Sequence, residues 1–221
     1  MIDSISNAWA YLLKGGFVMW PLFACAITSI AVMIERSLAL YWARADSEVL
    51  VQKLSVFLGD GRIAEALALC DSSRGTIAQL MASGIRNRHL DTDSIERAME
   101  ELALKETPNL HKRLGVLDTI ITMAPLLGLL GTITGMIRAF HIVGSASALN
   151  APTAITGGVA EALIATATGL TVAIFTLPGY NLLTERVKEL ISEMEIRATQ
   201  LLNLLAKLHA EEEHMRETSA H

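Results

Sequence analysis

Three long stretches of the sequence carry almost no charged residues and are hydrophobic enough to cross a membrane. They cover residues 15–34, residues 119–137 and residues from about 154 to 183. The third stretch is interrupted only by Glu161. About 20 mostly apolar residues are needed to cross a hydrocarbon core roughly 30 Å thick. We therefore predict three transmembrane helices, over residues 15–40, 118–140 and 154–183.

The segment between the first two spans predicts a series of helices. Within residues 41–117, apolar residues at helical spacing are separated by breaks rich in glycine, serine and aspartate. This pattern predicts short helices over about 50–58, 62–70 and 76–86. Asp93, followed by Glu96, resembles a capping box, so we expect a longer helix to begin there. We expect that helix to pass through Pro108 with a kink and to continue into the second span.

The distribution of lysine and arginine predicts the orientation of the chain. Basic residues are concentrated in the segments 41–117 and 184–221, whereas Lys14 is the only one in the segments 1–14 and 141–153. Segments rich in lysine and arginine stay on the cytoplasmic side of a membrane. In the tail, charged residues alternate with leucines, which predicts an amphipathic helix that extends the third span.

The predicted fold class is therefore an all-α membrane protein. It has three transmembrane helices with long helical cytoplasmic extensions, its N-terminus is periplasmic and its C-terminus is cytoplasmic. Outside the three spans we predict a periplasmic N-terminus over 1–14, a cytoplasmic helical insert over 41–117, a periplasmic loop over 141–153 and a cytoplasmic C-terminal helix over 184–221.

The composition fits a membrane protein and argues against several other classes. Of the 221 residues, 52% are hydrophobic and 19% are charged, and the mean hydropathy is +0.41. Soluble domains carry about 25% charged residues. A net charge of −5 gives no reason to expect binding to nucleic acid. Cys25 lies in an apolar context and Cys70 in a polar one, so we expect no disulfide, and no CxxC spacing indicates a metal site. The first apolar run lacks a cleavage signal, so we expect it to be retained.

The second and third predicted spans each have one face of small residues. On a helical wheel, glycine, alanine and threonine fall on one side of each span and bulky aliphatic residues on the other. Small residues at four-residue spacing let helix backbones approach closely in lipid. These faces therefore predict either helix packing or the lining of a pore. The residues concerned are Gly128, Gly131, Gly135, Ala162, Ala165 and Gly169.

Glu161 is a carboxylate in an otherwise small and apolar segment. A charged side chain at membrane depth costs a few kcal/mol and usually faces a bundle interior or an ion path. One interpretation is structural, in which Glu161 lies near the outer end of its span and reaches water. The functional interpretation is that Glu161 exchanges a proton with an adjacent group. Thr132 and Thr166 have two readings as well: a hydrogen bond to a carbonyl of their own helix, or a place in a polar ring along a water-accessible seam.

At these residues the chain resembles a known family. The segments APLLGLLGTITGM (124–136) and GVAEALIATATGLTVAIFTLPGYN (158–181) are similar to the two signature helices of the MotA/TolQ/ExbB proton-channel family, and the similarity is greatest to its ExbB/TolQ branch. The resemblance implies that Thr132, Thr166 and Glu161 belong to the proton pathway. It also implies a homopentamer in the bacterial inner membrane that surrounds a one-span partner of the ExbD/TolR type, with a TonB/TolA-like protein as a further partner.

The resemblance implies a function without catalysis. Such a chain is a proton-channel subunit of a motor complex that converts proton motive force into movement of its partner, which energises an envelope process such as TonB-dependent import. It needs no cofactor, and the transported ion is H⁺. Several alternatives stay open: a sodium-driven version, envelope maintenance of the TolQ kind, gliding motility, and a passive membrane scaffold. No Ser/His/Asp grouping, phosphate loop or metal cluster indicates an enzyme.

Arg138 departs from the family pattern, in which its position usually carries a neutral or weakly basic residue. On the helical wheel Arg138 lies about 120° from Thr132, so we expect it to point away from the pathway. His141 is either a solvated histidine or a second proton site at the outer mouth.

Overall fold

The computed structural model describes residues 15–44, 47–73, 75–145 and 151–219. Within these ranges the chain forms helices and contains no strand. We number the helices α1 (Met19–Arg44), α2 (Ser47–Gly59), α3 (Ile63–Ser72), α4 (Thr76–Arg86), α5 (Thr92–His111), α6 (Leu114–Ser145) and α7 (Ala151–Ser219). The prediction of an all-helical chain is confirmed for the described part.

Three helical stretches are long and apolar enough to cross a membrane. They are Met19–Ala43, Thr92–His141 and Ile155–Ala210, and they contain the three predicted spans almost completely. Large apolar side chains on these stretches face outward. Trp20 and Phe175, for example, are 72% and 74% exposed. Such a surface is stable when lipid or a protein partner covers it. The chain is thus a multi-pass membrane protein.

The chain divides into two compact units. The first contains Met1–Glu35 and Arg113–Leu183, and the second contains Arg36–Lys112 and Thr184–His221. The boundaries fall inside α1 and α7, so each of these helices belongs to both units.

In the first unit, α6 and the first part of α7 pack against the beginning of α1. Val18, Met19 and Leu22 are buried together with Ala124 of α6. Further along, Met33 of α1 packs against Gly179 of α7 so closely that a methyl group at Gly179 would overlap the Met33 sulfur. The first unit is therefore a bundle of three membrane-spanning helices.

In the second unit, α4 supplies much of the core. Eight of its eleven residues, including Thr76, are buried. A methyl group at Gly84 would lie 2.6 Å from Leu201 Cδ2 and 2.7 Å from Met99 Sδ. The buried residues of the α7 tail recur every three, four or seven positions, which is the stripe of an amphipathic helix. They are Val187, Leu190, Met194, Leu201 and Leu205.

Two details of the insert differ from the predictions. The side chain that caps α5 belongs to Asp91 and not to Asp93, because Asp91 has an extended backbone and accepts a hydrogen bond from the Ser94 amide. Asp93 lies in the first turn of the helix, where a negative charge is also favourable.

The continuation of α5 into the second span was also predicted wrongly. Pro108 lies inside α5, but the helix ends at His111, three residues later. Arg113 then adopts a left-handed backbone with φ of 65°, which ends a helix as a C′ residue does. Its Nη1 atom lies 2.9 Å from Glu35 Oε1. At the other end, α6 continues to Ser145 and α7 begins at Ala151, so both helices extend into the predicted loop 141–153. Residues 146–150 and the predicted N-terminal segment 1–14 lie outside the described residues.

Candidate functional site

The small faces of α6 and α7 pack directly against each other. A methyl group at Gly128 would lie 3.0 Å from Thr166 Cα, and one at Gly135 would lie 2.9 Å from the Gly158 carbonyl oxygen. At Gly131 it would overlap Ala165 Cβ, and at Gly169 the Ala124 carbonyl oxygen. The backbones thus approach too closely for larger side chains.

This contact contains the six small residues that we predicted as pore or packing residues. Gly128, Gly131 and Gly135 of α6 meet Ala162, Ala165 and Gly169 of α7, and Ala165 is fully buried. Within this chain they therefore hold two spans together.

The two candidate threonines make different hydrogen bonds. Thr166 Oγ1 donates across the interface to the Gly128 carbonyl oxygen at 2.9 Å, and so it joins α7 to α6. Thr132 Oγ1 donates to the Leu129 carbonyl oxygen of its own helix at 2.6 Å. Thr132 also borders an open apolar groove on the surface of α6 that is lined by Ile133, Met136, Ile137 and Phe140. While these bonds persist, each hydroxyl has used its single proton and can only accept further hydrogen bonds.

Glu161 forms an ion pair with Arg138. Arg138 Nη1 lies 2.6 Å from Glu161 Oε1 and 2.8 Å from Oε2, so one nitrogen donates to both oxygens. The side chain of Glu161 is 16% exposed and that of Arg138 is 53% exposed. On another side, a methyl group at Gly16 would overlap Glu161 Oε1. Gly16 has φ of 74°, a conformation that favours glycine, so this turn places bare backbone against the carboxylate.

The position of Arg138 contradicts the expectation from the helical wheel. The wheel angle describes where the Cα atom lies, whereas a long and flexible side chain can carry its charge to a neighbouring helix. One sequence signal could have found the pair. Between residues 119 and 184, Arg138 and Glu161 are the only two charged residues if histidine is neutral, and they have opposite signs.

The chemistry that these groups offer is proton binding and electrostatic attraction. The site combines one enclosed carboxylate, one permanent cation and two hydroxyls along a tightly packed pair of spans. Among the described residues, no group of three or more His, Cys, Asp or Glu side chains could hold a metal ion.

Comparison with known proteins identifies the family. Residues 72–196, more than half of the chain, match the MotA/TolQ/ExbB proton channel family, to which the chain therefore belongs. The matched region includes Thr132, Arg138, Glu161 and Thr166.

Individual relatives support the ExbB/TolQ branch. The putative biopolymer transport protein ExbB-like 1 of Synechocystis sp. is 36% identical over 178 residues, which cover 77% of this chain and 68% of the relative. The putative biopolymer transport protein ExbB homolog of Methanothermobacter thermautotrophicus is 28% identical, over 88% of this chain and 71% of the relative. The Tol-Pal system protein TolQ of Haemophilus influenzae is 38% identical, over 41% of this chain and 40% of the relative. The predicted resemblance is confirmed.

Proposed function

We propose that this chain is the proton-channel subunit of an inner-membrane motor complex. The complex converts proton motive force into movement of a one-span partner of the ExbD/TolR type. The observation that carries the proposal is Glu161, a carboxylate that is largely enclosed between two spans of a proton-channel family member. No covalent bond is made or broken in this function, so we expect no catalysis and no cofactor.

We propose that five copies form a ring around the partner's transmembrane helix, which carries a proton-accepting aspartate. Basic residues in the insert and the tail support an orientation with these segments in the cytoplasm. Protons then pass Glu161 from the outside, reach the partner's carboxyl group near Thr132 and Thr166, and leave to the cytoplasm. Each proton releases roughly 2.3 kcal/mol per 100 mV of membrane potential.

The hydrogen bonds of the two threonines suggest how a proton changes the partner's position. Both hydroxyls donate to backbone carbonyls and can only accept a further bond. A protonated carboxyl group on the partner can donate such a bond, whereas an ionised carboxylate cannot. Loading and releasing a proton therefore changes the attraction between the partner helix and this site, which lets the helix move to the next subunit.

The names of the relatives support two candidates for the process that the motor energises. The names of the Synechocystis and Methanothermobacter proteins indicate biopolymer transport, which favours import that depends on a TonB-like partner. The similarity to TolQ supports a second candidate, envelope maintenance with a TolA-like partner. Deletion of the chain separates the two: loss of nutrient uptake supports the first, and detergent sensitivity with chained cells supports the second.

Substitutions at the site test the proposal. Glu161→Gln and Thr166→Ala should abolish proton flux in vesicles that contain the chain with its partner, while the complex still assembles. Thr168→Ala is a matched control, because Thr168 lies two residues further along α7 and donates to the Ile164 carbonyl of its own helix. Normal flux in both site variants would defeat the proposal. Flux that responds to sodium in the presence of a protonophore would show that the transported ion is Na⁺ and not H⁺.

A further inference from the structure

The Arg138–Glu161 pair links the second membrane-spanning helix to the third. The two residues are 23 positions apart, on α6 and α7, and a single guanidinium nitrogen contacts both carboxylate oxygens. Arginine stays charged in proteins, so Arg138 does not release Glu161 by losing a proton. It competes with protons for the same two oxygens.

The surroundings of the pair are unequal. Glu161 is enclosed by the α6–α7 contact and by the backbone at Gly16, whereas about half of the Arg138 side chain is exposed. About half of the arginine side chain is therefore not held by contacts within this chain, while the carboxylate is largely enclosed by them. In α7 no other charged residue lies between Ala151 and Thr184.

We propose that Arg138 is the positioning residue of Glu161, holding the carboxylate in a closed state that has to open before Glu161 can take up a proton. This inference depends on the proposed function, because it assumes that protons pass Glu161. In the closed state both oxygens accept from Nη1. In the open state the guanidinium has left, keeping its own protons, and a proton binds to one carboxylate oxygen. Arg138 thereby limits passive flow of protons through a complex that is not moving its partner.

Passive proton flux through the reconstituted complex tests this proposal. A hydrogen bond to a charged group shifts an equilibrium by about tenfold or more, so Arg138→Gln should raise passive flux by about tenfold. Arg138→Lys keeps a positive charge and should stay close to the original protein. The double variant Arg138→Gln/Glu161→Gln should lose the leak, because the leak passes through Glu161. In Arg138→Gln, the infrared carboxylate bands assigned by comparison with Glu161→Gln should shift as the hydrogen bonds are lost.

Two control variants separate this effect from a general loss of charge. Arg186→Gln removes a guanidinium from an exposed pair with Glu189 on the same helix as Glu161, and it should leave passive flux unchanged. Lys14→Gln removes the basic residue that precedes the turn at Gly15 and Gly16 in the sequence and lies outside the described residues. An equal leak from Lys14→Gln would contradict the assignment to Arg138.

The outcomes distinguish this inference from the proposed function. If Glu161→Gln alone retains full flux, the proposed function fails and the role of Arg138 with it. If Glu161→Gln abolishes flux but Arg138→Gln leaves it unchanged or abolishes it too, the proposed function stands and the positioning role is wrong. A leak that persists in the double variant would likewise show that protons bypass Glu161.

Discussion

At the scale of single residues, Thr166 takes part both in the packing of α7 against α6 and in a hydrogen bond between these helices. A methyl group at Gly128 would lie 3.0 Å from Thr166 Cα, and the Thr166 hydroxyl donates to the Gly128 carbonyl oxygen. Serine keeps the hydroxyl, and valine keeps the shape. We expect Thr166→Ser to retain most of the proton flux and Thr166→Val to lose it. Thr166→Val should also destabilise the pair of spans by about 1 kcal/mol, because one hydrogen bond between helices is removed.

The comparison of these two variants separates packing from polarity, which Thr166→Ala alone cannot do. Flux in vesicles and the thermal unfolding of the detergent-solubilised complex are the two measurements. If Thr166→Val conducts as well as Thr166→Ser, the hydroxyl has no part in the pathway.

Cys70 is a buried thiol in the insert whose ionisation is suppressed. Burial, assisted by the negative charge of Asp71, raises the pKa of Cys70 from its ordinary value of 9.0 to about 11, although Arg86 opposes this effect. Because the thiolate is the reactive form, the thiolate fraction at pH 8 is about a hundredfold lower than for an ordinary cysteine. We expect Cys70 to react with iodoacetamide at least that much more slowly in the folded Cys25→Ser variant than after denaturation.

The same shift makes the stability of the insert depend on pH in the alkaline range. Below pH 9 both the folded and the unfolded protein keep the thiol proton. Between about pH 9 and pH 11 the unfolded chain releases this proton while the folded chain retains it, so stability falls as the pH rises. In Cys70→Ala this part of the pH dependence should disappear. An unchanged alkaline profile in that variant would show that Cys70 is not responsible for it.

At the scale of helices, the glycines of α7 divide into those that touch α6 and those that do not. A methyl group at Gly169 would overlap the Ala124 carbonyl oxygen, whereas at Gly157 it would meet nothing within 4 Å. We expect Gly169→Ala to destabilise the protein by about 1–3 kcal/mol, because the backbones must move apart. Gly157→Ala should be neutral or should stabilise the helix by up to about 1 kcal/mol.

This pair of variants is matched, since both add one methyl group to a glycine of the same helix. Thermal unfolding in detergent compares them, and oxidative cross-linking of cysteines placed across the α6–α7 contact reports the distance between the helices. If the two variants have equal stability, close approach of the backbones does not hold the spans together.

The helices show which features the sequence predicts well. Helix α4 was predicted over 76–86 and is observed at Thr76–Arg86, because breaks on both sides define it locally. The cap at Asp91 was missed by two residues, since aspartates at 91 and 93 are equally suitable in the sequence and only the backbone angles distinguish them. The break at Arg113 was missed because arginine seldom adopts a left-handed conformation, and its contact with Glu35 comes from a distant part of the chain.

The candidate site likewise has features that the sequence predicts and features that it does not. Short motifs in α6 and α7 identify Thr132, Thr166 and Glu161, because residue type and spacing are properties of the sequence alone. The partners of these residues depend on the register between the two helices. That register decides that Thr166 bonds to Gly128 and that Glu161 bonds to Arg138. A wheel drawn for one helix contains no information about it.

At the scale of the whole molecule, the charge distribution and the three candidate spans among the described residues together predict a topology. Three crossings would place the segment before the first span and the segment after the third on opposite sides of the membrane. Of the 18 lysines and arginines, 15 lie in the segments 41–117 and 184–221, which we place in the cytoplasm. Reversing the orientation would move all of these charges across the membrane.

Labelling of single cysteines from each side of the membrane tests this topology. In a Cys25→Ala/Cys70→Ala background, Ser147→Cys, at a position between the second and third spans in the sequence, should react with an impermeant maleimide in intact spheroplasts. Lys53→Cys and Arg186→Cys, whose native side chains are exposed on α2 and α7, should react only in inverted vesicles or after permeabilisation. Labelling after denaturation controls for the presence of each cysteine. The opposite pattern would place the insert and the tail outside, and it would reverse the direction of proton flow past Glu161 that the proposed motor requires.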